Sequence, residues 1–313
     1  MQSVQVHELS GPDGVRVVDV PEPEGELLVE VRAAGISFPD LLLSRGQYQL
    51  KPDPPFTLGS EAAGVVRTAP EGSGLKPGDR VATLGFGTFA DVVAGQPAGT
   101  FLLPDALSFE QGAGLVLNYH TAHFALVRRA QLRIGETLLV QGAGGGVGTA
   151  AIQVGKALGA RVIGVVSSEE KERVAREAGA DEVVRSDGDW RAEAGPADVI
   201  FDPVGGERFD ESVRALAPEG RLVVIGFTEG AIPKVGVNRL LFRNVSVVGA
   251  AWGEFALPRP EYLREVGEDL ERMIESGHVG PIVGRRYAFT DAADALRDLD
   301  ERRAVGKLVL EVT

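Results

Sequence analysis

The sequence predicts an α/β protein in which a mainly β domain is followed by a doubly wound parallel-sheet nucleotide fold. Three observations carry this prediction. Residues 1–118 show short strands between turn signals, strands and helices alternate from about residue 119 to 251, and a strand, a glycine cluster and a helix follow one another within residues 136–171.

In chain order, the β character begins with Leu27, Val29, Val31 and Ala33, which alternate with Leu28, Glu30, Arg32 and Ala34 to leave one face mostly polar. Turn signals recur at Gly11-Pro12-Asp13-Gly14, Pro21-Glu22-Pro23, residues 52–55 and Lys76-Pro77-Gly78-Asp79. Strands this short between such turns predict a small barrel or sandwich. A helical patch at 39–44 interrupts it, and another helix is expected near Leu107 and Ser108, where a capping serine precedes FEQGAGLVL.

The glycine stretch comes next. Residues 137–140 read as a buried parallel strand, followed by a helix that should open near Gly148 and close at Gly159. The strict G-x-G-x-x-G spacing fails, because Val147 stands where its last glycine would be. Gly142, Gly145 and Gly148 fit a G-x-x-G-x-x-G variant, with Gly144, Gly146 and Val147 between them. Glycine there reaches positive φ and lets a pyrophosphate approach the backbone, while the first helical amides point at it. A second strand at 161–166 follows at the distance a βαβ unit requires, so these six residues are read as dinucleotide-binding.

The end of that second strand bears on cofactor choice. An Asp or Glu there would accept from a ribose 2′-OH; this chain has Ser167, Ser168 and then Lys171, which suit a 2′-phosphate and favour NADPH over NADH. Ser167 also suits a cap for the next helix, with Glu170 completing a capping box. Arg185, after the apolar run 182–184, is a further candidate phosphate partner. Beyond it come a strand at 198–202, a helix at 207–217 and strands at 221–226 and 245–249. Residues 260–276 are amphipathic, with Leu263, Val266, Leu270 and Met273 on one stripe and Gly277 as the stop. A second such helix spans 291–303, and the strand 307–312 is expected to rejoin the β domain. The domains are therefore expected at 1–118 completed by 255–313, and at 119–254.

Composition narrows the function. The 313 residues carry a formal net charge of −13, which argues against nucleic acid or an anionic membrane as partner. With no run of about 18 apolar residues and no signal-peptide pattern in MQSVQVHELSGPDG, a cytoplasmic protein is expected. The absence of cysteine removes disulfides, thiolate nucleophiles and Cys-ligated metals.

Nine segments in order, AAGISFPDLLLSRGQY (33–48), LGSEAAGVV (58–66), PGDRV (77–81), LNYHTAHFAL (117–126), the glycine stretch, FDPVGG (201–206), GRLVVIG (220–226), NRLLFRN (238–244) and VGKLVL (305–310), carry a resemblance. The chain resembles the zinc-independent quinone oxidoreductase branch of the medium-chain dehydrogenase/reductase family over essentially its full length. The resemblance implies a GroES-like β domain completed by the tail, a Rossmann domain, and catalysis in the cleft between them. Zinc alcohol dehydrogenases of the same superfamily carry a cysteine where this chain has Ser37 and a histidine where it has Ser60. His120 and His123 have no third ligand in view and read as surface or packed residues, so no metal is expected.

Without a metal to polarise a carbonyl, hydride from NADPH suits a conjugated acceptor that spreads its own charge. A quinone is expected; an enal or enone is the alternative, and a non-catalytic NADPH-binding protein the second alternative. For catalysis the resemblance points to Ser37, where the family commonly has asparagine, and Tyr48 is a phenolic donor candidate. Asp40 is read as capping or bracing its loop. The resemblance also places Asn118, Thr121, Val204, Gly205, Gly226, Phe227, Ala250 and Trp252 near the cofactor, and makes Asn238 and Arg239 structural. The strand at 245–249 is a flat apolar edge that would be an aggregation hazard if exposed, and the resemblance implies a homodimer that pairs there.

Overall fold

The computed structural model describes residues 1–312. Two units divide the chain: Met1–Leu117 with the residues from Pro281 onward, and Asn118–Gly280. The chain begins with β1 (Gln2–Val6), β2 (Val15–Asp19), β3 (Leu28–Ile36), α1 (Phe38–Ser44), β4 (Phe56–Thr57), β5 (Glu61–Thr68), β6 (Arg80–Leu84), β7 (Val92–Ala94), β8 (Thr100–Leu102) and α2 (Phe109–Gly112). It continues through α3 (Val116–His123), β9 (Thr137–Gln141), α4 (Gly146–Ala157), β10 (Arg161–Val166), α5 (Glu169–Glu177), β11 (Glu182–Arg185), α6 (Trp190–Ala194), β12 (Ala197–Asp202) and α7 (Arg208–Ala215). After β13 (Leu216–Val224), α8 (Val237–Arg243), β14 (Ser246–Gly249), α9 (Trp252–Ala256) and α10 (Pro260–Glu275), it closes with β15 (Val283–Ala288), α11 (Ala292–Asp300) and β16 (Lys307–Glu311).

In the first unit, alternation in β3 puts Val29 and Val31 inside and Arg32 in solvent. A three-stranded sheet, β2-β1-β4, accompanies a larger one in the order β15-β16-β3-β5-β6-β8, with β7 also pairing β3. The tail strand rejoins this unit as the sequence predicts, antiparallel to β3 with Leu308 opposite Ile36 and Leu310 opposite Ala34. Val31, Leu41, Phe89, Leu296 and Leu310 belong to one buried core cluster, so the last helix and strand complete a core begun by the first strands.

The second unit holds a six-stranded sheet in the order β11-β10-β9-β12-β13-β14, every pairing parallel. Its central strands read as unbroken apolar runs because helices cover both faces: Leu138, Leu139, Val140, Val199, Ile200 and Phe201 are fully buried. Numbered from β9, this is the 3-2-1-4-5-6 order of the Rossmann fold. Its direction reverses between β9 and β12, and dinucleotides lie beyond the carboxyl ends of the strands at such a reversal.

Two boundaries differ from the sequence reading. Helix α4 opens at Gly146, not near Gly148, with Gly145 as its N-cap. Residues 255–280 belong to the parallel-sheet unit, not to the β unit. Phe255 stacks on Phe124 at 5.2 Å, Tyr262 meets Phe255 edge-on at 5.1 Å, and Gln153 both donates to Gly280 O and accepts from Gly280 N at 2.9 Å. Each such aromatic pair adds about 1 kcal/mol beyond its buried area. The apolar stripe of α10 shows in the sequence, but a stripe does not say which core it joins. Among the described residues, no helix is long and apolar enough to cross a membrane.

Candidate active site

At the carboxyl end of β9 the chain turns through Gly142 at φ +62°. A Cβ on Gly148 would sit 2.2 Å from Gly142 O, so α4 can start against the turn only through glycine. Gly144 is packed just as closely, since a Cβ there would lie 2.5 Å from Lys171 Cβ. Gly145 differs: its nearest neighbour would be Gly142 O at 3.6 Å, which leaves the turn open on that side. The first amides of α4, at Gly146, Val147 and Gly148, have no carbonyl one turn back to accept them, and they complete an anion-binding helix start.

The loop after β12 closes beside this turn. Val204 Cγ2 lies 3.2 Å from where a Gly142 Cβ would be. Buried Asp202 holds the loop by accepting from Val204 N at 2.9 Å and Gly205 N at 3.0 Å. Burial raises its carboxyl above the usual range, although both amide bonds pull the other way. Gly205, at φ +65°, leaves no room for a side chain, since a Cβ there would meet Phe227 Cδ1 at 2.9 Å. Bonds from Thr228 N to Pro203 O and Glu229 N to Val204 O tie the 226–229 segment to the same place. Gly142, Val204, Gly205 and Phe227, far apart in sequence, thus meet around the strand reversal, with Gly226 in the tied segment.

Beyond β10 the serines divide their work. Ser168, not Ser167, caps α5, its hydroxyl accepting from Lys171 N at 3.3 Å. The helix starts one residue later than a Ser167–Glu170 capping box requires, so Ser167 stays at the strand end. Lys171 Nζ donates to Ser167 Oγ at 3.4 Å, and Arg185 Nη2 donates to Ser167 O at 3.3 Å. Ser167, Lys171 and Arg185 therefore converge. Arg185 Nε is buried with no hydrogen-bond partner among the described residues.

On α3, Asn118 is buried and Thr121 half-buried. No bond links either to the glycine turn. His120 and His123 are packed residues: burial lowers the His120 pKa to about 3, and His123 pairs with Asp269 at 3.1 Å. Trp252 is 5% exposed and meets His120 edge-on at 5.8 Å, its Nε1 without a hydrogen-bond partner among the described residues. Ala250 is buried, with its amide on Val224 O. Asn238 and Arg239 lie on α8, where Arg239 pairs with Asp210.

In the β unit, Ser37 caps α1. Its amide donates to Asp40 Oδ2 at 2.8 Å, and Ser60 Oγ donates to Asp40 Oδ1 at 3.1 Å, so Asp40 braces the loop. Burial raises the Asp40 pKa from 3.8 to about 7, against the Ser37 amide and the charge of Lys307. Ser37 Oγ accepts from Lys307 Nζ at 2.6 Å, and the same ammonium donates to Glu61 Oε1 at 2.6 Å. Glu61 Oε2 accepts from Leu117 N at 2.9 Å. Tyr48 lies half-buried against the unit's main core. Sequence reasoning missed Asp202, Glu61 and Lys307 as site residues. The signal for the last two was a charged residue opening a strand whose next residues are apolar.

The family described as Alcohol dehydrogenase GroES-like domain matches residues 23–105, and the family described as Zinc-binding dehydrogenase matches residues 146–271. Quinone oxidoreductase-like protein 2 of Bos taurus is 36% identical over 303 residues, covering 93% of this chain and 86% of the relative. A crystal structure of a probable oxidoreductase from Mycobacterium abscessus superposes with a TM-score of 0.91 at 43% identity, covering 100% of this chain and 99% of that one. The Escherichia coli quinone oxidoreductase complexed with NADPH gives a TM-score of 0.89 at 29% identity over 100% of both chains.

Proposed function

The chain belongs to the quinone oxidoreductase branch of the medium-chain dehydrogenase/reductase family, and we propose that it is a cytoplasmic NADPH-dependent reductase that passes hydride to a quinone without a metal. The observation that carries the cofactor reading is the convergence of Ser167, Lys171 and Arg185 beside the glycine turn, with Arg185 Nε buried and unpartnered among the described residues. Two cations and a hydroxyl at the end of β10 fit a 2′-phosphate, where a carboxylate would have fitted a bare ribose hydroxyl. The NADPH complex of the Escherichia coli quinone oxidoreductase supports the same choice.

NADPH, when bound, supplies the hydride. The α4 amides from Gly146 to Gly148 hold the pyrophosphate, and the open side of Gly145 lets it approach. Lys171 and Arg185 balance the 2′-phosphate. The Asp202-braced loop, Phe227, Asn118, Thr121, Ala250 and Trp252 serve the nicotinamide half. Ser37, with Tyr48 as a second donor, offers a hydrogen bond to the acceptor's oxygen.

A metal-free reaction is supported by the donor set. Ser37 and Ser60 are already engaged with Lys307 and Asp40, and among the described residues no group of three or more His, Cys, Asp or Glu gathers as a metal site. A homodimer through β14 is part of the proposal. That strand lies at the sheet edge, and α8 leading into it exposes Val237, Leu241 and Phe242.

The test is NADPH oxidation by the purified protein against an ortho-quinone panel and a 2-alkenal and enone panel, with NADH as control. Turnover on quinones with NADPH is expected. Turnover on alkenals or enones alone would move the protein to the ene-reductase class. Tight NADPH binding with no turnover on either panel would leave a binding protein.

A further inference from the structure

Three sequence-distant segments, GISFPD, LGSEAAG and VGKLVL, converge on one buried cluster in the β unit, and the proposed function uses only its Ser37. Lys307 opens β16 with its side chain 3% exposed, and Glu61 opens β5 with its side chain fully buried. The lysine stem runs where glycines leave room for it: a Cβ on Gly114 would lie 2.9 Å from Lys307 Cγ, and one on Gly35 would lie 2.8 Å from Lys307 Cε. Burying an ion pair gives little stability that a well-packed apolar pair would not give, so its presence calls for another explanation.

The hydrogen-bond inventory supplies one. A serine hydroxyl has one proton to give and two lone pairs. Ser37 Oγ accepts firmly from Lys307 Nζ at 2.6 Å, while its own proton has only Glu61 Oε1 at 3.5 Å, at the edge of hydrogen-bond distance. Glu61 Oε1 is meanwhile taken by the ammonium at 2.6 Å, and Oε2 by Leu117 N. The Ser37 proton is thus poorly accepted within the fold and strongly polarised from behind by a fixed cation.

We propose that Lys307 is a positioning residue that acts through Ser37: held by Glu61, its ammonium aims the Ser37 hydroxyl proton at the acceptor oxygen that takes up charge, and replaces that proton as it leaves. The assignment rests on the metal-free reductase reading above. Once the hydride and its two electrons have reached the acceptor, one acceptor oxygen is an oxyanion. The Ser37 O–H bond breaks as a new O–H bond forms on that oxygen, and a Lys307 N–H bond breaks to restore the serine hydroxyl. Lys307 is left as a neutral amine beside Glu61 and takes a proton from water after product leaves. A built-in ammonium thereby provides the positive charge for the oxyanion that a metal would otherwise provide.

A staple joining β16 to β3 and β5 would use the same contacts, so the test separates the two roles. The double variant Lys307→Met with Glu61→Gln keeps the pocket neutral and similar in shape. Thermal melting, NADPH affinity by fluorescence, kcat, KM and the solvent deuterium isotope effect are measured, along with binding of 4-nitrophenolate, a stable oxyanion followed by its absorbance. The expected result is a folded protein with NADPH affinity and KM within about twofold, kcat at least about a hundredfold lower, a larger solvent isotope effect on kcat, and 4-nitrophenolate binding at least about tenfold weaker. A folded variant that keeps both kcat and 4-nitrophenolate affinity within about twofold overturns the assignment and leaves the staple. Should the double variant not fold, Lys307→Arg, which keeps a cation against Glu61 but does not give up its proton, decides instead: the same loss of kcat supports the relay, and unchanged kcat overturns it. If the unaltered protein reduces none of the acceptors, the reductase reading fails by itself, and 4-nitrophenolate binding still decides the role of Lys307.

Discussion

The ligand face of the parallel sheet and the polar centre of the β unit treat polar groups in opposite ways. At the carboxyl ends of β9 and β12 the lining is mostly backbone, open beside Gly145, with Arg185 Nε lacking a partner among the described residues. Around Lys307 the lining is charged side chains, almost wholly buried, each with partners inside the fold. In the proposed function the first region is completed by a ligand, whereas the charged pair of the second is completed by the chain. Changes in the first should therefore appear in cofactor affinity, and stranding one partner of the charged pair in the second should appear in stability.

The severest trial of that contrast is Glu61→Ala, which strands the buried Lys307 ammonium. A loss of about 3–5 kcal/mol in unfolding free energy is expected by urea titration. An unchanged midpoint would erase the distinction between the two regions.

Asp40 sharpens the contrast through pH. Its carboxyl titrates near 7 in the folded chain and at its ordinary 3.8 once exposed, so between those values the folded state keeps a proton that the unfolded state has released. The contribution is complete at acid pH and is lost as pH rises through 7, with a slope approaching about 1.4 kcal/mol per pH unit. Urea midpoints from pH 4 to 7.5 should show this decline in the natural sequence and a flatter profile in Asp40→Asn.

On the open side, Arg185→Ala is expected to weaken NADPH about tenfold, or ~1.4 kcal/mol, and to leave NADH affinity and melting unchanged. Equal losses for both cofactors would remove Arg185 from 2′-phosphate recognition. The smallest effect belongs to Ser168→Ala, which removes the α5 cap. It should cost about 1 kcal/mol or less of stability while the NADPH-to-NADH preference stays as it was.

How far each region could be read from the sequence follows from the same difference. The glycine turn is built from consecutive residues, so a buried apolar run, the glycine-rich residues 142–148 and a second strand announce it, although the helix starts earlier than expected, at Gly146. The choice of Ser168 over Ser167 as cap was not legible, because one residue of helix register decides it and both are serine. The tail shows the limit for cores: α10 and α11 have similar apolar stripes, yet one packs in each unit. The Lys307 cluster is the hardest case. Its members stand at 37, 40, 60, 61 and 307, and only strand pairing of β16 with β3 and β3 with β5 brings them together. The sequence does show the odd lysine in GKLVL and the odd glutamate in GSEAAG, but not that they are partners.

The placement of β16 also bears on how the protein is made. This strand sits between β15 and β3 in the larger sheet, so the β unit, though it begins at Met1, lacks an interior strand until residues 307–311 have been synthesised. The parallel-sheet unit has all its residues by Gly280. Translation therefore delivers the second unit whole while the first still waits for its last strand, an inversion of the usual N-terminal-first order of domain folding. During that interval the edges of β3 and β15 that will receive β16 are unpaired, and Glu61 has yet to meet its lysine.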